Sequence, residues 1–316
     1  MRVLVAGASG AMGRPLVRLL RSKGHEVFGV TRRPERAALV EALGARPLVA
    51  DALDAAALQR VVNEARPTEV VHLLTALPPE GPLRARDLLA TNCLRVRGTG
   101  NLLRASIAAG VRRVVVESFA GVYGAGQPLP WTEDGPLPPP AGPFAEGVRA
   151  MRSLEHQAAT ARVHLETVTL RFGLVYGPEV PATIGLARRL RRRRVFVPRG
   201  ADGLASFVHV DDAATAILAA LESPAAGLVY NVADDRPTGI VDYLAMSADV
   251  LGVPRPRTAP LWLLRLVAPL LVQGAFTRLA LSNARARAEL GWTPAYPTLR
   301  EGIAQVVRVW QQAPSA

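Results

Sequence analysis

Short apolar runs recur along the first part of the chain, and helical segments with one polar face lie between them. Segments such as RPLVRLLRSKG and TGNLLRASIAAG have apolar residues at three- and four-residue spacing, which is typical of amphipathic helices. Strands that alternate with helices in this way favour a parallel sheet. The pattern therefore predicts an α/β fold with a doubly wound parallel sheet. The predicted strands cover residues 2–6, 26–30, 46–49, 70–74, 114–117 and 167–172.

This alternation ends at about Gly177, and Pro-rich loops, shorter helices and returning strands follow. We expect a large doubly wound domain in residues 1–177, with a returning segment at about 205–235. Residues 178–204 and 236–316 are expected to form a smaller, interleaved C-terminal domain.

The segment PLWLLRLVAPLLVQGAF at residues 260–276 is apolar enough to resemble a membrane element. Arg265, Pro269, Gln273 and Gly274 interrupt it, whereas a spanning helix needs about 20 mainly apolar residues. The segment is therefore not expected to cross a membrane. A pocket wall, a dimer contact or a pair of core helices is expected, with shallow membrane contact as the alternative.

Arginine accounts for nearly all of the positive charge behind the formal net charge of +12, because Lys23 is the only lysine. No zinc, helix-turn-helix or RNA-binding signature accompanies this charge, so no nucleic-acid partner and no metal are expected. The single Cys93 suits a reducing compartment. Since MRVLVAG runs into a glycine turn without a signal peptide, the cytoplasm is the expected location.

The strongest chemical signal is VLVAGASGAMGRPLVRLL, in which three glycines lie between the first strand and the first helix. Glycines at this spacing allow a tight turn and let a pyrophosphate approach the unpaired amides of a helix N-terminus. Because the turn opens a run of alternating strands and helices, it is predicted to bind a nicotinamide dinucleotide. The predicted contacts in this turn are Gly7, Ser9, Gly10, Ala11, Met12 and Gly13.

The residues after the second strand predict which dinucleotide binds. An NAD site usually has an acid there, about 20 residues past the glycines, that hydrogen-bonds the ribose 2′-hydroxyl. This chain has Thr31, Arg32 and Arg33 instead, and two guanidinium groups suit a 2′-phosphate. NADP is therefore expected in preference to NAD, unless these arginines only face solvent. Further predicted contacts are Asp51 and Ala52 for the adenine, and Leu73, Thr75 and Ala76 on the path to the nicotinamide.

The motifs GASGAMG, VVHLLTA, RGTGNLL, LRFGLVYGP, FVHVDDAATAI and LGWTPAYPTLREGI follow one another from Gly7 to about Ile303. In this order they resemble the extended short-chain dehydrogenase/reductase superfamily, the NAD-dependent epimerase/dehydratase group, over nearly the whole chain. The resemblance implies a Rossmann-type domain, a small C-terminal substrate domain, a bound nicotinamide cofactor and a homodimer built on a four-helix interface. Cofactor contacts at Asn92, Ser118, Phe119 and Phe172 are expected as well.

The usual catalytic residues of that family do not match this sequence. Relatives have a Ser or Thr four residues before the tyrosine of VYG, and counting back from Tyr123 reaches Phe119. Ser118 is adjacent, but neighbouring strand residues point to opposite faces, so it is not expected to substitute. The Tyr-x-x-x-Lys pair, aligned on the glutamate of RSLEHQ, is replaced by Gly147 and Met151. The chain therefore resembles an atypical branch that keeps the cofactor fold and loses the standard acid–base set.

Two asparagines of the family are also replaced. Arg95 in LRVRGT occupies the place of the helix asparagine, with Asn92 one turn earlier. Leu174 follows the LRFG strand, where sugar epimerases typically have an asparagine that holds the diphosphate. A sugar-nucleotide substrate is disfavoured on that count.

Other ionisable groups near the expected nicotinamide are candidates for proton transfer. His72 ends a strand at the ligand-binding edge, and histidine titrates near neutrality, but the family position favours a place in the cofactor-side wall over catalysis. Glu117 is a candidate acid if it is buried, and Tyr123 offers a phenol, although this tyrosine usually packs internally in the family.

Two charged segments in the second half have both functional and structural interpretations. The six arginines at 188, 189 and 191–194 form either an anion clamp or a solvated helix end. Asp211 or Asp212 in FVHVDD is expected to cap the helix that follows.

These features together predict an NADP(H)-dependent oxidoreductase or epimerase-like enzyme that acts on a small, partly apolar substrate with non-standard acid–base residues. The alternatives are a cofactor-binding sensor or regulatory protein without turnover, and a sugar-nucleotide epimerase or dehydratase.

Overall fold

The computed structural model describes residues 1–124, 129–224 and 229–312. Its strands, in chain order, are β1 (Arg2–Ala6), β2 (Glu26–Thr31), β3 (Arg46–Val49), β4 (Glu69–His72), β5 (Arg113–Phe119), β6 (Glu166–Phe172), β7 (Leu174–Tyr176), β8 (Phe196–Pro198), β9 (Leu204–Ala205), β10 (Phe207–His209), β11 (Val229–Val232), β12 (Thr238–Gly239), β13 (Arg257–Ala259) and β14 (Arg278–Leu279).

The α-helices, in chain order, are α1 (Gly13–Ser22), α2 (Ala37–Ala42), α3 (Ala55–Ala65), α4 (Leu89–Cys93), α5 (Thr99–Ala108), α6 (Ala145–Ala161), α7 (Pro181–Arg191), α8 (Val210–Glu222), α9 (Ile240–Val250), α10 (Leu261–Val267), α11 (Pro269–Phe276), α12 (Ala284–Leu290) and α13 (Leu299–Gln312). A π-helical turn, Leu94–Gly98, joins α4 and α5 into one continuous helix. Single 3₁₀ turns lie at Pro34–Arg36, Ala85–Leu88, Ala120–Tyr123 and Gly142–Phe144.

Seven strands form one sheet in the order β3-β2-β1-β4-β5-β6-β11, and every neighbouring pair in it is parallel. The order reverses between β1 and β4, as it does at the ligand-binding crevice of doubly wound sheets. The predicted fold class is therefore confirmed. The bounds of β1 and β3 match the prediction, and those of the other four predicted strands differ by one or two residues at an end; β4, for example, ends at His72 rather than Leu74.

Apolar side chains on both faces of the sheet explain why its strands are continuous hydrophobic runs. Val3 and Val5 of β1 lie in the core cluster that includes residues of α1 and α8, whereas Leu4 belongs to the cluster with α3 and α5. Two layers of helices therefore cover the faces of the sheet. A ligand can reach the sheet mainly at the ends of its strands.

The other strands form small sheets outside the large one, namely β7 with β10, β12-β9-β14, and β8 with β13. Asp212, in the first turn of α8, ties the C-terminal part to the large sheet's helical layer, because its carboxylate accepts hydrogen bonds from the amides of Ala295 and Tyr296 at 2.7 and 3.0 Å. The expected aspartate cap of α8 is wrong. His209 is the N-cap, and its Nδ1 accepts a hydrogen bond from the amide of Asp211. The domain limits given above stay a prediction.

The apolar segment at 260–276 forms the two short helices α10 and α11. Trp262 and Leu266 on α10 each expose 70% of their surface. Within the described ranges, none of the helices has the length and apolar character that crossing a bilayer requires.

A buried ion pair joins α6 to the sheet. The guanidinium of Arg171 on β6 donates two hydrogen bonds to the carboxylate of Glu155 on α6, at 2.9 and 2.7 Å. Arg171 also donates to the hydroxyl of Tyr123 at 3.0 Å, and that hydroxyl donates to Oδ1 of Asn231 on β11 at 2.7 Å. Because these polar groups are shielded from solvent and hydrogen-bonded, the network fixes the position of α6 against β5, β6 and β11.

Replacing Glu155 with Gln is expected to lower the free energy of unfolding by about 3–5 kcal/mol, because the Arg171 charge then stays buried without a counter-charge. Urea denaturation followed by circular dichroism measures the change. The matched control is Glu64→Gln, whose exposed pair with Arg46 is expected to contribute under about 1 kcal/mol. Equal losses for the two variants would contradict this role of the buried pair.

Candidate cofactor cleft and active site

The glycine turn lies directly after β1, at the carboxyl edge of the sheet. Gly7 has a φ of +99°, in the region that favours glycine, and its amide donates to the carbonyl of Val30 on β2 at 3.2 Å. A Cβ atom on Gly7 would lie 2.6 Å from the carbonyl oxygen of Leu73, and one on Gly13 would lie 2.3 Å from that of Gly7. The close packing of three backbone segments therefore requires glycine at both positions.

This turn leads into α1 and leaves amides unpaired at the helix start. Within residues 1–124, 129–224 and 229–312, the amides of Ala11, Met12 and Gly13 have no hydrogen-bond acceptor. Unpaired amides and the positive end of the helix dipole suit a phosphate group. The turn thus fits the pyrophosphate of a dinucleotide, as the sequence predicts. The predicted contacts brought together here are Gly7, Ser9, Gly10, Ala11, Met12 and Gly13.

The predicted 2′-phosphate contacts follow β2, next to the glycine turn. Thr31 is buried, and its Oγ1 lies 3.4 Å from Oγ of Ser9, which links the two loops. Arg32 and Arg33 are exposed and form no ion pair within the described ranges. Two free guanidinium groups at this place are available to a phosphate.

The loop after β3 is held by its own polar groups. Asp51 accepts a hydrogen bond from the amide of Leu53 at 2.9 Å, and the carbonyl of Ala52 accepts one from the side chain of Asn101 at 2.9 Å. The two predicted adenine contacts therefore lie in a fixed loop at the carboxyl edge of the sheet.

The residues after β4 are predicted to line the path to the nicotinamide, and only some of them are placed for it. Leu73 is buried beside Gly7, Thr75 is exposed, and the amide of Ala76 donates to Thr91. The position of His72 disfavours the predicted proton-transfer role. Its side chain is fully buried on the opposite face, where Nε2 lies 2.8 Å from Oγ1 of Thr99 on α5. Burial lowers the pKa of His72 to about 4, so the imidazole is neutral near pH 7.

Aromatic rings lie where the family resemblance places a hydroxyl and a phenol. Phe119 and Phe144 make an edge-to-face contact with ring centroids 6.3 Å apart. A Cβ atom on Gly147 would lie 2.8 Å from the Phe144 ring, and one on Gly121 would lie 2.6 Å from the Phe119 ring. Met151, one turn after Gly147 on α6, is fully buried. Sequence reasoning missed Phe144, because a ring brought in from a Pro-rich loop has no local signal.

Three further predicted residues face the interior instead of the cleft. Ser118 donates its hydroxyl hydrogen bond to Glu155 at 2.7 Å, so its side chain points towards α6. Tyr123 is fully buried in the network described above, and burial raises its pKa. Phe172 packs its ring into the core on the α1 side. These contacts disfavour the predicted catalytic role of Tyr123 and the predicted cofactor contacts of the Ser118 and Phe172 side chains, which stay predictions.

Glu117 is a polar group near the cleft without a hydrogen-bond or ion-pair partner within the described ranges. It retains 8% of its surface, and burial raises its pKa while the charge of Arg95 acts in the opposite direction. Arg95, in the π-helical turn, is 5% exposed. Within the described ranges, its Nη1 atom is buried without a hydrogen-bond partner, and so is Oδ1 of Asn92. The unpaired atoms of Arg95 and Asn92 contrast with the hydrogen-bonded network around Arg171.

The arginine run lies at the end of α7 and in the turn that follows. All of its arginines except Arg189 are exposed, and Arg189 donates to the carbonyl of Glu80 at 3.2 Å. This arrangement favours the solvated helix end over an anion clamp. Over the same described ranges, no three His, Cys, Asp or Glu side chains are grouped as metal ligands would be.

Residues 3–233 match the family model described as NAD dependent epimerase/dehydratase family. The chain is 40% identical to a Streptomyces sp. protein named 3-diazoavenalumate denitrifying reductase, over 96% of this chain and 99% of that protein. It is 31% identical to the UDP-glucose 4-epimerase of Mycolicibacterium smegmatis, over 98% of this chain and 99% of that enzyme.

Comparison with solved structures shows that this fold also occurs in enzymes named as epimerases. The UDP-glucose 4-epimerase of Thermus thermophilus, described as a complex with NAD, aligns with a TM-score of 0.81 at 26% identity. The alignment covers 99% of this chain and 100% of that one. The likeness extends through the C-terminal part as well as the large sheet.

Replacing Gly13 with Val is expected to weaken dinucleotide binding by about tenfold or more, because a side chain there collides with the carbonyl of Gly7 and displaces the turn. Calorimetric titration with NAD and NADP, each oxidised and reduced, measures the loss. The control is Gly274→Ala, since a Cβ atom on Gly274 meets nothing within 4 Å. Wild-type affinity in the Gly13 variant would exclude the turn as the binding site.

Proposed function

The chain belongs to the NAD dependent epimerase/dehydratase family, and on that premise we propose that it is an NADPH-dependent reductase that replaces the diazo group of an aromatic substrate with hydrogen. The observation that carries this proposal is the combination of two features. The positions that the resemblance assigns to the family's proton donors hold Phe119, Gly147 and Met151, and the relative with 40% identity is named as a denitrifying reductase of a diazo compound.

The lack of an acid at these three positions favours some reactions over others. Reduction of a carbonyl or epimerisation at a sugar carbinol needs a group that moves a proton to or from the substrate oxygen. Loss of a diazo group has no such requirement, because the leaving group is N₂. A site that contains two phenyl rings is compatible with loss of a diazo group. It is poorly suited to carbonyl reduction or epimerisation.

The proposed reaction balances without an acid or base from the protein. When bound, the reduced nicotinamide supplies a hydride. A C–H bond forms at the ring carbon of the arenediazonium, the C–N bond breaks, and its electron pair leaves with N₂. The arenediazonium ion is thus reduced by two electrons to the arene at the expense of the nicotinamide, and no proton is transferred at that carbon.

The chain's own residues would then orient the substrate and exclude water. Phe119 and Phe144 offer an aromatic edge and face to a flat ring, which is the arrangement that aromatic pairs prefer. Exclusion of water also protects an arenediazonium from hydrolysis. Positioning of this kind contributes to the rate without any ionisable side chain.

The proposed cofactor is NADP, on the basis of Arg32 and Arg33. Both guanidinium groups are exposed beside the glycine turn and unpaired within the described ranges, and no acid takes the place of the usual NAD contact. The family itself is NAD(P)-dependent, and the Thermus structure carries NAD.

Two alternatives predict different results. A sugar-nucleotide epimerase is suggested by the relative named UDP-glucose 4-epimerase, but Leu174 replaces the expected diphosphate contact. A sensor without turnover would bind the cofactor and oxidise none of it.

The purified protein is expected to oxidise NADPH when a benzenediazonium salt is added, with one N₂ and one arene formed for each NADPH consumed. Absorbance at 340 nm and mass spectrometry of the arene measure the reaction. NADPH carrying deuterium at C4 is expected to transfer the label to the ring, whereas D₂O as solvent is expected to leave it unlabelled.

Controls separate this reaction from the spontaneous chemistry of diazonium salts. Heat-denatured protein and the Gly13→Val variant are expected to give only the background rate. Interconversion of UDP-glucose and UDP-galactose without NADPH consumption would favour the epimerase, and cofactor binding without turnover of either substrate would favour the sensor. Either result would overturn the proposal.

Replacement of Arg32 and Arg33 by Ser is expected to weaken NADP binding by about tenfold or more and to leave NAD binding unchanged, because only the 2′-phosphate loses its partners. Calorimetry with both cofactors makes the comparison. The control is a double variant of exposed arginines far from the turn, Arg192→Ser and Arg193→Ser. Equal wild-type affinities for NAD and NADP would reject the preference.

A further inference from the structure

Glu117 has a carboxyl group that none of the contacts described above uses. It lies near the end of β5, 8% exposed, without a hydrogen-bond or ion-pair partner within residues 1–124, 129–224 and 229–312. The carboxylate oxygens of Glu117 keep some solvent contact, so water or a ligand in the cleft can reach them. The carboxyl group is therefore a candidate contact for a ligand.

The direction of the Glu117 side chain follows from its neighbour. Ser118 points towards α6, where its hydroxyl donates to Glu155. Since adjacent strand residues point to opposite faces, Glu117 points to the other face, which α1 and α8 cover. Val115, two residues earlier, packs in the cluster on that face.

Strand register gives the height of Glu117 in the sheet. Ala6 pairs with His72, and His72 pairs with Val116, so the next residue of each strand lies at one level. Those residues are Gly7, Leu73 and Glu117. The carboxyl group thus lies at the level of the glycine turn, two strands away from it.

The cleft has two distinguishable ends. If the arginines after β2 hold the 2′-phosphate and the glycine turn after β1 holds the pyrophosphate, the nicotinamide extends over the ends of β4 and β5. Glu117 is on β5, on the side of the sheet where α1 begins. Its carboxyl group is therefore at the nicotinamide end of the cleft.

Charge compensation at Glu117 is incomplete. Arg95 is the cation whose charge acts on it, but the two side chains form no ion pair within the described ranges, and Arg95 lies in the helix on the α6 side of the sheet. His72 nearby is neutral. A cationic ligand group in the cleft would supply the missing counter-charge.

We infer that Glu117 stabilises the oxidised, cationic nicotinamide relative to the reduced, neutral one, and so makes the bound cofactor a stronger hydride donor. This inference rests on the cofactor binding in the proposed function. It does not depend on the identity of the substrate. A partly buried carboxylate near a ring attracts the charged form more strongly than it would in water.

The test compares the affinities of NADP⁺ and NADPH for the same protein. Replacing Glu117 with Gln is expected to weaken NADP⁺ binding by about tenfold and to leave NADPH binding within about twofold, as measured by calorimetry. A tenfold change in the ratio of the two dissociation constants raises the midpoint potential of the bound couple by about 30 mV. Glu117→Asp, which keeps the charge, is expected to behave like the wild type.

The matched control removes a buried carboxylate at the other edge of the sheet. Glu69 is 2% exposed on β4, pairs with Arg112, and lies about 13 Å from the level of Glu117. Glu69→Gln is expected to leave the NADP⁺ to NADPH ratio unchanged. If Glu117→Gln does not fold, Glu117→Leu provides a second neutral variant with the same expected shift.

The outcomes separate this inference from the proposed function. An unchanged ratio in the neutral Glu117 variants, or an equal shift in Glu69→Gln, overturns the inference and leaves cofactor binding intact. Failure of the wild type to bind either form overturns both. Failure to reduce a diazonium salt, with the ratio shifted as expected, overturns only the substrate assignment.

Discussion

The parallel register of β1, β4 and β5 is the constraint on which the cleft depends. It places Gly7, Leu73 and Glu117 at one level of the sheet, so that residues far apart in sequence meet at one edge. The same register brings the start of α1 to that edge with its amides unpaired. A one-residue slip of β5 would exchange Glu117 for Ser118 and turn the carboxylate away from the cleft. The electrostatics of the site are therefore a property of the strand pairing as much as of individual side chains.

A buried polar network is the second constraint, because it holds a helix in place beside the carboxyl edge of the sheet. Arg171, Glu155 and Tyr123 form a buried network that holds α6 against the sheet, and none of them needs to touch a substrate. The same face of α6 carries Gly147 and the buried Met151, two and one turns before Glu155. Gly147 leaves room for the ring of Phe144, which meets Phe119 where the family resemblance places a hydroxyl. A stable frame with an aromatic lining is the physical basis for proposing a reductase that works without a proton donor.

Much of this arrangement could be predicted from the sequence, and the limits have physical causes. Apolar runs and the glycine spacing predict the sheet and the turn, because both depend on local pattern. The alternation of strand side chains also predicts that Ser118 faces away from Phe119, as it does. The direction of the His72 side chain could not be predicted, because both faces of β4 are buried and such a strand carries no signal of which face is which. The contact of Phe144 with Phe119 depends on a long loop, which periodicity does not describe.

Asp212 fixes the C-terminal stretch against α8. Its two carboxylate oxygens hold the amides of Ala295 and Tyr296, and the indole of Trp292 donates to its carbonyl. The C-terminal stretch is thus fastened to a helix of the sheet layer by several short bonds. Displacement of this stretch from α8 would break these bonds, so the stretch and the helix are expected to move as one unit.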